Sequence, residues 1–336
     1  MQQTDVRWSG RSRAGLVLRP DDAYLIPLSL IWSAGATAAT VAMVRGPTTG
    51  GPAFIWWIVF CIVGAYLLVG RFVVDVVRRS GLRYELTATE AIVTTRAGAT
   101  RSVALLRAVP CIGLRRGAGG SGTILFGLGP SGRSDYSALG FGYGVVAFEA
   151  VPGAGAVFQA CIDAIDAGGG GSVVWEGRPY AGIVLRWWDW GIALLNAIFV
   201  AAGLAAGAAG VWPVSLLFVC AGGYGIVGRL AVTASRRSAT RYVLTERAAI
   251  VRADRPWGRE LVVPLSGASV VTYRGEPNGR GTIVFGSDDL GVRMADQAGF
   301  FGGQPRVPAF ELLEGPQVVY QRVMQARAGA TAPGSG

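Results

Sequence analysis

Residues 70–87 read GRFVVDVVRRSGLRYELT, and residues 228–245 read GRLAVTASRRSATRYVLT. In both stretches an apolar run ends on Gly-Arg, continues to Arg-Arg-Ser, and then changes period. Apolar positions on a helix recur about every 3.6 residues, and those on one strand face every two. Each stretch therefore reads as a helix that hands over to a strand beginning Arg-x-Tyr-x-Leu-Thr. The two stretches lie 158 residues apart.

The match extends outward in both directions. Trp8-Ser9-Gly10-Arg11 corresponds to Trp175-Glu176-Gly177-Arg178 at an offset of 167, and so do Arg19 with Arg186 and Asp22 with Asp189. Gly122-Thr123-Ile124 and Phe126-Gly127 match Gly281-Thr282-Ile283 and Phe285-Gly286 at 159, and Ala147-Phe148-Glu149 matches Ala309-Phe310-Glu311 at 162. The order is collinear and the offset drifts only at loops, as a gene duplication leaves it. Residues 168–172, GGGGS, read as a flexible linker between the halves.

The chain of 336 residues is 51% hydrophobic and 15% charged, whereas soluble domains carry about 25% charged residues. Ala23 to Val44, Ala53 to Gly70, Trp190 to Val211 and Val214 to Gly228 carry no charge. About 20 such residues cross a hydrocarbon core as a helix, and Arg229 extends the shortest run if it snorkels to the headgroups. The links within each pair of runs are very short, which predicts two tight antiparallel hairpins. Arg7, Arg11, Arg13, Arg19, Arg71, Arg78, Arg79 and Arg83 flank the first pair, with only Arg45 between. The second pair repeats this with Arg178, Arg186, Arg229, Arg236, Arg237 and Arg241. The positive-inside rule then predicts a multi-pass protein of the cytoplasmic (inner) membrane with both termini in the cytoplasm. Trp187, Trp188 and Trp190 fit an interfacial belt, and Gly203 and Gly207 permit close helix packing.

After each pair of runs the pattern alternates. Strand-like segments fall at 83–87, 91–94, 102–106, 110–115, 123–126 and 145–151, with partners at 241–245, 249–251, 260–265, 268–274, 282–285 and 308–312. Val157, Phe158, Cys161, Ile162 and Ile165 then make one helical stripe, and Val319, Tyr320, Val323 and Met324 make another. About six strands and one closing helix suit a small antiparallel barrel or two-sheet sandwich. The expected fold is membrane α+β, with two tandem repeats, each a two-helix transmembrane hairpin followed by such a β-domain. The boundaries are a leading segment 1–22, hairpin 23–76, β-domain 77–167, linker 168–172, pre-membrane segment 173–189, hairpin 190–233, β-domain 234–328 and a disordered tail 329–336.

The order Trp-x-Gly-Arg, Gly-Arg-Phe, Arg-x-Tyr-x-Leu-Thr, Gly-Thr-Ile-x-Phe-Gly and Phe-Glu resembles bacterial PH-like (pleckstrin-homology-like) membrane proteins. It is carried by Trp8, Gly70, Arg71, Phe72, Tyr84, Thr87, residues 122–127 and Phe148, and by their second-half equivalents, with Leu230 in place of Phe72 and Val243 in place of Glu85. The resemblance implies a PH-like antiparallel β-barrel with a C-terminal capping helix in each half.

Function is read from what the chain contains and lacks. The net charge of +10 comes from arginine with no lysine, and there is no histidine, which removes the commonest general base and metal ligand. The four cysteines have no metal-type spacing. No Gly-x-Ser-x-Gly elbow or paired-carboxylate motif stands on a defined element, and residues 117–122, GAGGSG, lack the Lys-Ser/Thr of a phosphate loop and read as a hairpin turn. No enzyme, cofactor or metal site is expected. Arg71, Arg78, Arg79, Arg229, Arg236 and Arg237 are candidate contacts for lipid phosphate, with Asp75 placed to pair with Arg71 one helical turn away. Phe141, Tyr143, Phe300 and Phe301, in Gly-rich loops, are candidate partner-binding residues. The expected partners are integral membrane lipids and a protein partner or a second copy, and not nucleic acid. The expected function is a non-enzymatic interaction or scaffold module, or alternatively a sensor of anionic lipid headgroups.

Overall fold

The structure is a computed structural model that describes residues 5–18, 22–45, 52–96, 100–127, 146–165, 171–185, 187–254, 258–266, 270–276, 279–286 and 308–331. Strand β1 (Val6–Arg11) pairs antiparallel with β2 (Arg83–Thr87), setting Trp8 opposite Leu86 and Arg11 opposite Arg83. Between these neighbouring strands are inserted α1 (Asp22–Arg45), α2 (Pro52–Ala65), a π-helical turn (Tyr66–Gly70) and α3 (Arg71–Ser80). Strands β3 (Glu90–Thr94) and β4 (Thr100–Leu105) complete a four-stranded meander, β1-β2-β3-β4. Strands β5 (Ile112–Arg116), β6 (Ser121–Phe126) and β7 (Val146–Pro152) form a second meander. Helix α4 (Ala154–Ala164) starts at Gly153, whose φ of 63° glycine tolerates, and buries Val157, Phe158, Cys161 and Ile162.

The second half runs in the same order. β8 (Val173–Gly177) pairs with β9 (Thr240–Thr245) around α5 (Trp187–Ala208), α6 (Trp212–Gly223), a π-helical turn (Tyr224–Gly228) and α7 (Arg229–Ser238). β10 (Ala248–Ala253) and β11 (Arg259–Pro264) follow, then β12 (Val271–Gly275), β13 (Arg280–Phe285), β14 (Ala309–Glu314) and α8 (Pro316–Thr331).

Small features recur at matching positions. Each π-helical turn ends on the glycine of a Gly-Arg pair, where a Cβ on Gly70 would meet Tyr66 Cδ2 at 2.9 Å and one on Gly228 would meet Tyr224 Cδ2 at 2.5 Å. Glycine is thus required by close approach. Ala150 and Leu312 both hold φ of 50°, a left-handed conformation that costs a non-glycine residue about 1–2 kcal/mol. Each is fixed from two sides: its N–H donates to Thr123 or Thr282, and its carbonyl accepts from the N–H of Arg13 or Tyr180. Phe148 packs at ring-centroid distances of 5.8, 5.0 and 4.9 Å from Trp8, Tyr84 and Phe126. Phe310 does so at 5.7, 4.8 and 5.0 Å from Trp175, Tyr242 and Phe285.

The expected fold class needs correction. The described chain is α+β with three antiparallel sheets, and the largest, β7-β6-β5-β11-β10-β9-β8, takes strands from both halves. It does not divide into two tandem units, each a transmembrane hairpin followed by its own closed barrel. The segments expected to lead into the helices also contribute β1 and β8, so the helices interrupt β-units and do not precede them. A short Trp-x-Gly-Arg segment offers too few residues to register as a strand when its partner lies seventy-odd positions onward, beyond two apolar runs.

The expected localisation is corrected too. Among the described residues two helices are long and apolar enough to cross a membrane, Asp189–Ala208 and Ser215–Ser238. Four spans and a multi-pass inner-membrane topology are not supported. Apolar runs of this length are common to core helices and membrane spans, so length and composition alone do not separate the two. Five of the arginines used to orient the chain, Arg71, Arg78, Arg79, Arg229 and Arg237, are engaged in ion pairs within the fold, which gives them a structural role that the charge pattern does not reveal. Trp190 is exposed, while the side chains of Trp187 and Trp188 lie outside the described residues. Gly203 and Gly207 do face α6, where added Cβ atoms would meet Val219 Cγ2 at 2.9 Å and Ser215 Oγ at 2.8 Å.

Candidate functional site

The candidate arginines gather where the inserted helices return to the sheets. Arg71, Asp75 and Arg79 occupy one buried face of α3 at a spacing of four residues. Arg71 Nη1 lies 2.7 Å from Asp22 Oδ1 at the start of α1, and its guanidinium sits 4.4 Å from the Phe72 ring centroid. Asp75 is not its partner. That carboxylate accepts from Arg79 Nε at 2.7 Å and lies 3.5 Å from Arg78. Arg78 also donates to both oxygens of Glu149, at 2.7 and 3.0 Å. Arg79 further donates to the carbonyls of Arg13 and Gly15, at 3.3 and 3.0 Å, so it fastens the segment after β1. Tyr84 donates to the Glu149 carbonyl at 3.3 Å, and burial raises its phenol well above the usual value.

The second half is built likewise. Arg229 pairs with Asp189 at the start of α5. Arg237 donates to the Gly182 carbonyl at 3.4 Å and faces Glu311 at 4.0 Å. The Tyr242 hydroxyl accepts from the Glu311 N–H at 3.0 Å. Arg236 also has a partner within the chain. All six candidate arginines are therefore engaged internally, five of them facing carboxylates. Those five form clamps that close the helical insertions onto the β-units, with a carboxylate against each guanidinium. Phe141, Tyr143, Phe300 and Phe301 lie outside the described residues.

A site that the motifs did not announce lies between the halves. β11 pairs antiparallel with β5, with Arg259, Glu260, Leu261 and Val262 opposite Arg115, Leu114, Gly113 and Ile112. The pairing brings the bare backbone of Gly113 against Leu261, where a Cβ would lie 3.3 Å from Leu261 Cδ1. It also exchanges core residues. Ala248 and Val262 of the second half are buried in the first hydrophobic core, with Ile112, Leu114, Phe148 and Phe158. Cys111 of the first half is buried in the second core, with Tyr242, Leu261, Phe285 and Phe310. Glu260 bridges outward to Arg252 at 2.8 Å and to Arg116 at 3.4 Å. Arg259 faces Arg115 across the strands, and burial first, then that like charge, lowers its pKa to about 10.

Comparison with protein-family models, with characterised proteins and with solved structures finds no match. What the site can do is therefore read from its geometry. Among the described residues no group of three or more Cys, Asp or Glu side chains is placed to share a metal ion. Burial pushes the Cys111 and Cys161 thiols up to about 12, which leaves them protonated and unreactive.

Sheet edges remain. On the β1/β7 side, the N–H of Arg13 reaches the Ala150 carbonyl at 2.8 Å, and on the β8/β14 side the N–H of Tyr180 reaches that of Leu312 at 3.2 Å. The opposite sides differ. β4 and β12 each pair with only one strand among the described residues. By chain position they are the counterparts of β11 and β5, the very strands that join the halves. The sequence signals this only indirectly: the first three residues of β5, Ile-Gly-Leu, are buried, whereas the first three of β12, Val-Thr-Tyr, are half-buried.

Proposed function

We propose that the chain is a non-enzymatic interaction module in which two joined PH-like β-units present free strand edges to a protein partner. One observation carries this reading: β5 already takes up β11 from a separate β-unit, so edge-to-edge strand addition is the way this fold makes contacts. A strand edge offers unpaired N–H and C=O groups, and pairing them gives affinity without a pocket. Support for the PH-like description is the order, found twice, of a four-stranded meander, a three-stranded meander and a closing helix. The anionic-lipid reading is not favoured, because five of the six arginines it requires are tied to Asp22, Asp75, Glu149, Asp189 and Glu311.

The test places a photo-crosslinking residue at Ser102 on β4 or at Thr272 on β12 of the full chain, with Gln159 on the exposed face of α4 as the control. Protein adducts formed at the edge positions and absent at the control are expected. Adducts at none of the positions, together with flotation of the chain on anionic vesicles at low salt, would replace this reading with the lipid one.

A further inference from the structure

We propose that copies of this chain associate head to tail, the β12 edge of one copy adding to the β4 edge of the next in the register that β5 and β11 use inside the chain. The proposal rests on the interaction reading above and names its partner as a second copy.

The internal junction is heterologous: a β5-type edge of one unit meets a β4-type edge of the other. A duplicated chain that uses one of each has one of each left, and complementary unused edges build rings or filaments. The leftovers here are β12 and β4, each paired on one side only among the described residues. Carrying the observed register across, with β11 replaced by β4 and β5 by β12, puts Thr100, Arg101, Ser102 and Val103 opposite Arg274, Tyr273, Thr272 and Val271.

The residues at these positions fit one another. Inside the chain the bulky Leu261 faces Gly113, and added bulk on Gly113 would press on Leu261. At the corresponding register position between copies the sequence has Ser102 and Thr272 in place of Leu261 and Gly113, so bulk lost from one strand is regained on the other. Arg259 faces Arg115 internally, a like-charge pair of the kind that destabilises directly opposed strand positions. The corresponding register position between copies pairs Thr100 with Arg274, so one of the two like charges is absent from the sequence there. Val262, buried in the first core, becomes Val103, and its partner Ile112 becomes Val271, so an apolar pair is retained. Val271 is half-buried and Val270 beside it is 59% exposed, whereas Ile112 in the joined strand is wholly buried. That difference is what a missing neighbour leaves.

Two variants of the full chain that each add one cysteine test this, Ser102→Cys and Thr272→Cys, mixed and mildly oxidised. Directly opposed strand positions fall within the roughly 4.4–6.8 Å Cα separation that a disulfide spans. An intermolecular adduct of twice the chain mass that needs both variants, absent when either is mixed with the unmodified chain, is expected. The native thiols of Cys61 and Cys220 are thereby controlled. Sedimentation of the unmodified chain should show dimers or longer assemblies, and Thr272→Lys, which blunts the edge, should shift them to monomer while Cys161 stays protected. A monomeric chain with no paired adduct overturns the proposal. If the photo-crosslinking residues at the same edges then capture a different protein, the interaction reading stands and only this inference fails; if they capture nothing, both fail.

Discussion

Replacing Phe310 by alanine tests whether the two halves form one cooperative unit. Phe310 is fully buried and touches three aromatic rings, at 5.7 Å to Trp175, 4.8 Å to Tyr242 and 5.0 Å to Phe285. Truncating such a side chain costs about 3–5 kcal/mol, because the surrounding rings cannot collapse fully into the space left. At about 1.4 kcal/mol per factor of ten, the population of the open state rises by roughly two to three and a half orders of magnitude. Native thiols report on each core separately, since Cys161 lies in the first and Cys111 in the second. Both are buried, so each labels only through opening. Losing the second β-unit removes Ala248 and Val262 from the first core and strips β5 of its neighbour β11. Thiol labelling followed by mass spectrometry should therefore show Cys111 and Cys161 accelerated together and by similar factors in Phe310→Ala. Acceleration of Cys111 with Cys161 still protected at its original rate would refute the reasoning and return the halves to independent domains.

Other perturbations follow from the clamps and the strained positions. Asp75→Asn leaves Arg79, which is 3% exposed, without its carboxylate, and should cost about 3–5 kcal/mol by urea unfolding. Arg116→Ala, at a side chain 61% exposed on its bridge to Glu260, should change stability by no more than about 1 kcal/mol. Ala150→Gly relieves a left-handed φ of 50° and should raise the unfolding midpoint slightly, whereas Ala150→Val should lower it, because a β-branched residue tolerates that conformation poorly. The Cys111 and Cys161 thiols have pKa values raised to about 12 from an ordinary 9. Below pH 9 both states keep the proton and the thiols contribute no pH dependence. Between 9 and 12 only the unfolded state ionises, so stability falls as pH rises. Over pH 9–10 the loss is about 1 kcal/mol per thiol, and Cys161→Ala should remove its share of the slope in urea titrations.

Much of the β-architecture was legible because its determinants are local. The period-two runs at Arg83–Thr87 and Thr240–Thr245, and the apolar stripe of Val157, Phe158, Cys161 and Ile162, declare themselves within a few residues. The strands β1 and β8 were not legible as strands, because their pairing partners are reached only after the inserted helices. The helix-end arginines were visible, and their partners were not. Asp22 is distant from Arg71 in sequence and Glu149 from Arg78, so a local rule offered Asp75 to Arg71 and a topology rule offered lipid, while the fold supplied other carboxylates. The same limit applied to the apolar runs, whose composition says that they avoid water and leaves open what covers them. The junction of the halves was hidden most deeply. A duplication implies two similar units and is silent on how they meet, and the residues at the meeting point, Gly113, Leu261 and Val262, are ordinary strand residues.

Amide hydrogen exchange of the β5 and β11 backbones addresses that junction most directly. With the two strands paired as Ile112 opposite Val262 and Arg115 opposite Arg259, both should be protected along their whole length and should open with the same free energy. Alternating protection along β11, with every second amide exchanging as freely as on an unpaired strand edge, would contradict the joining of the halves into one sheet.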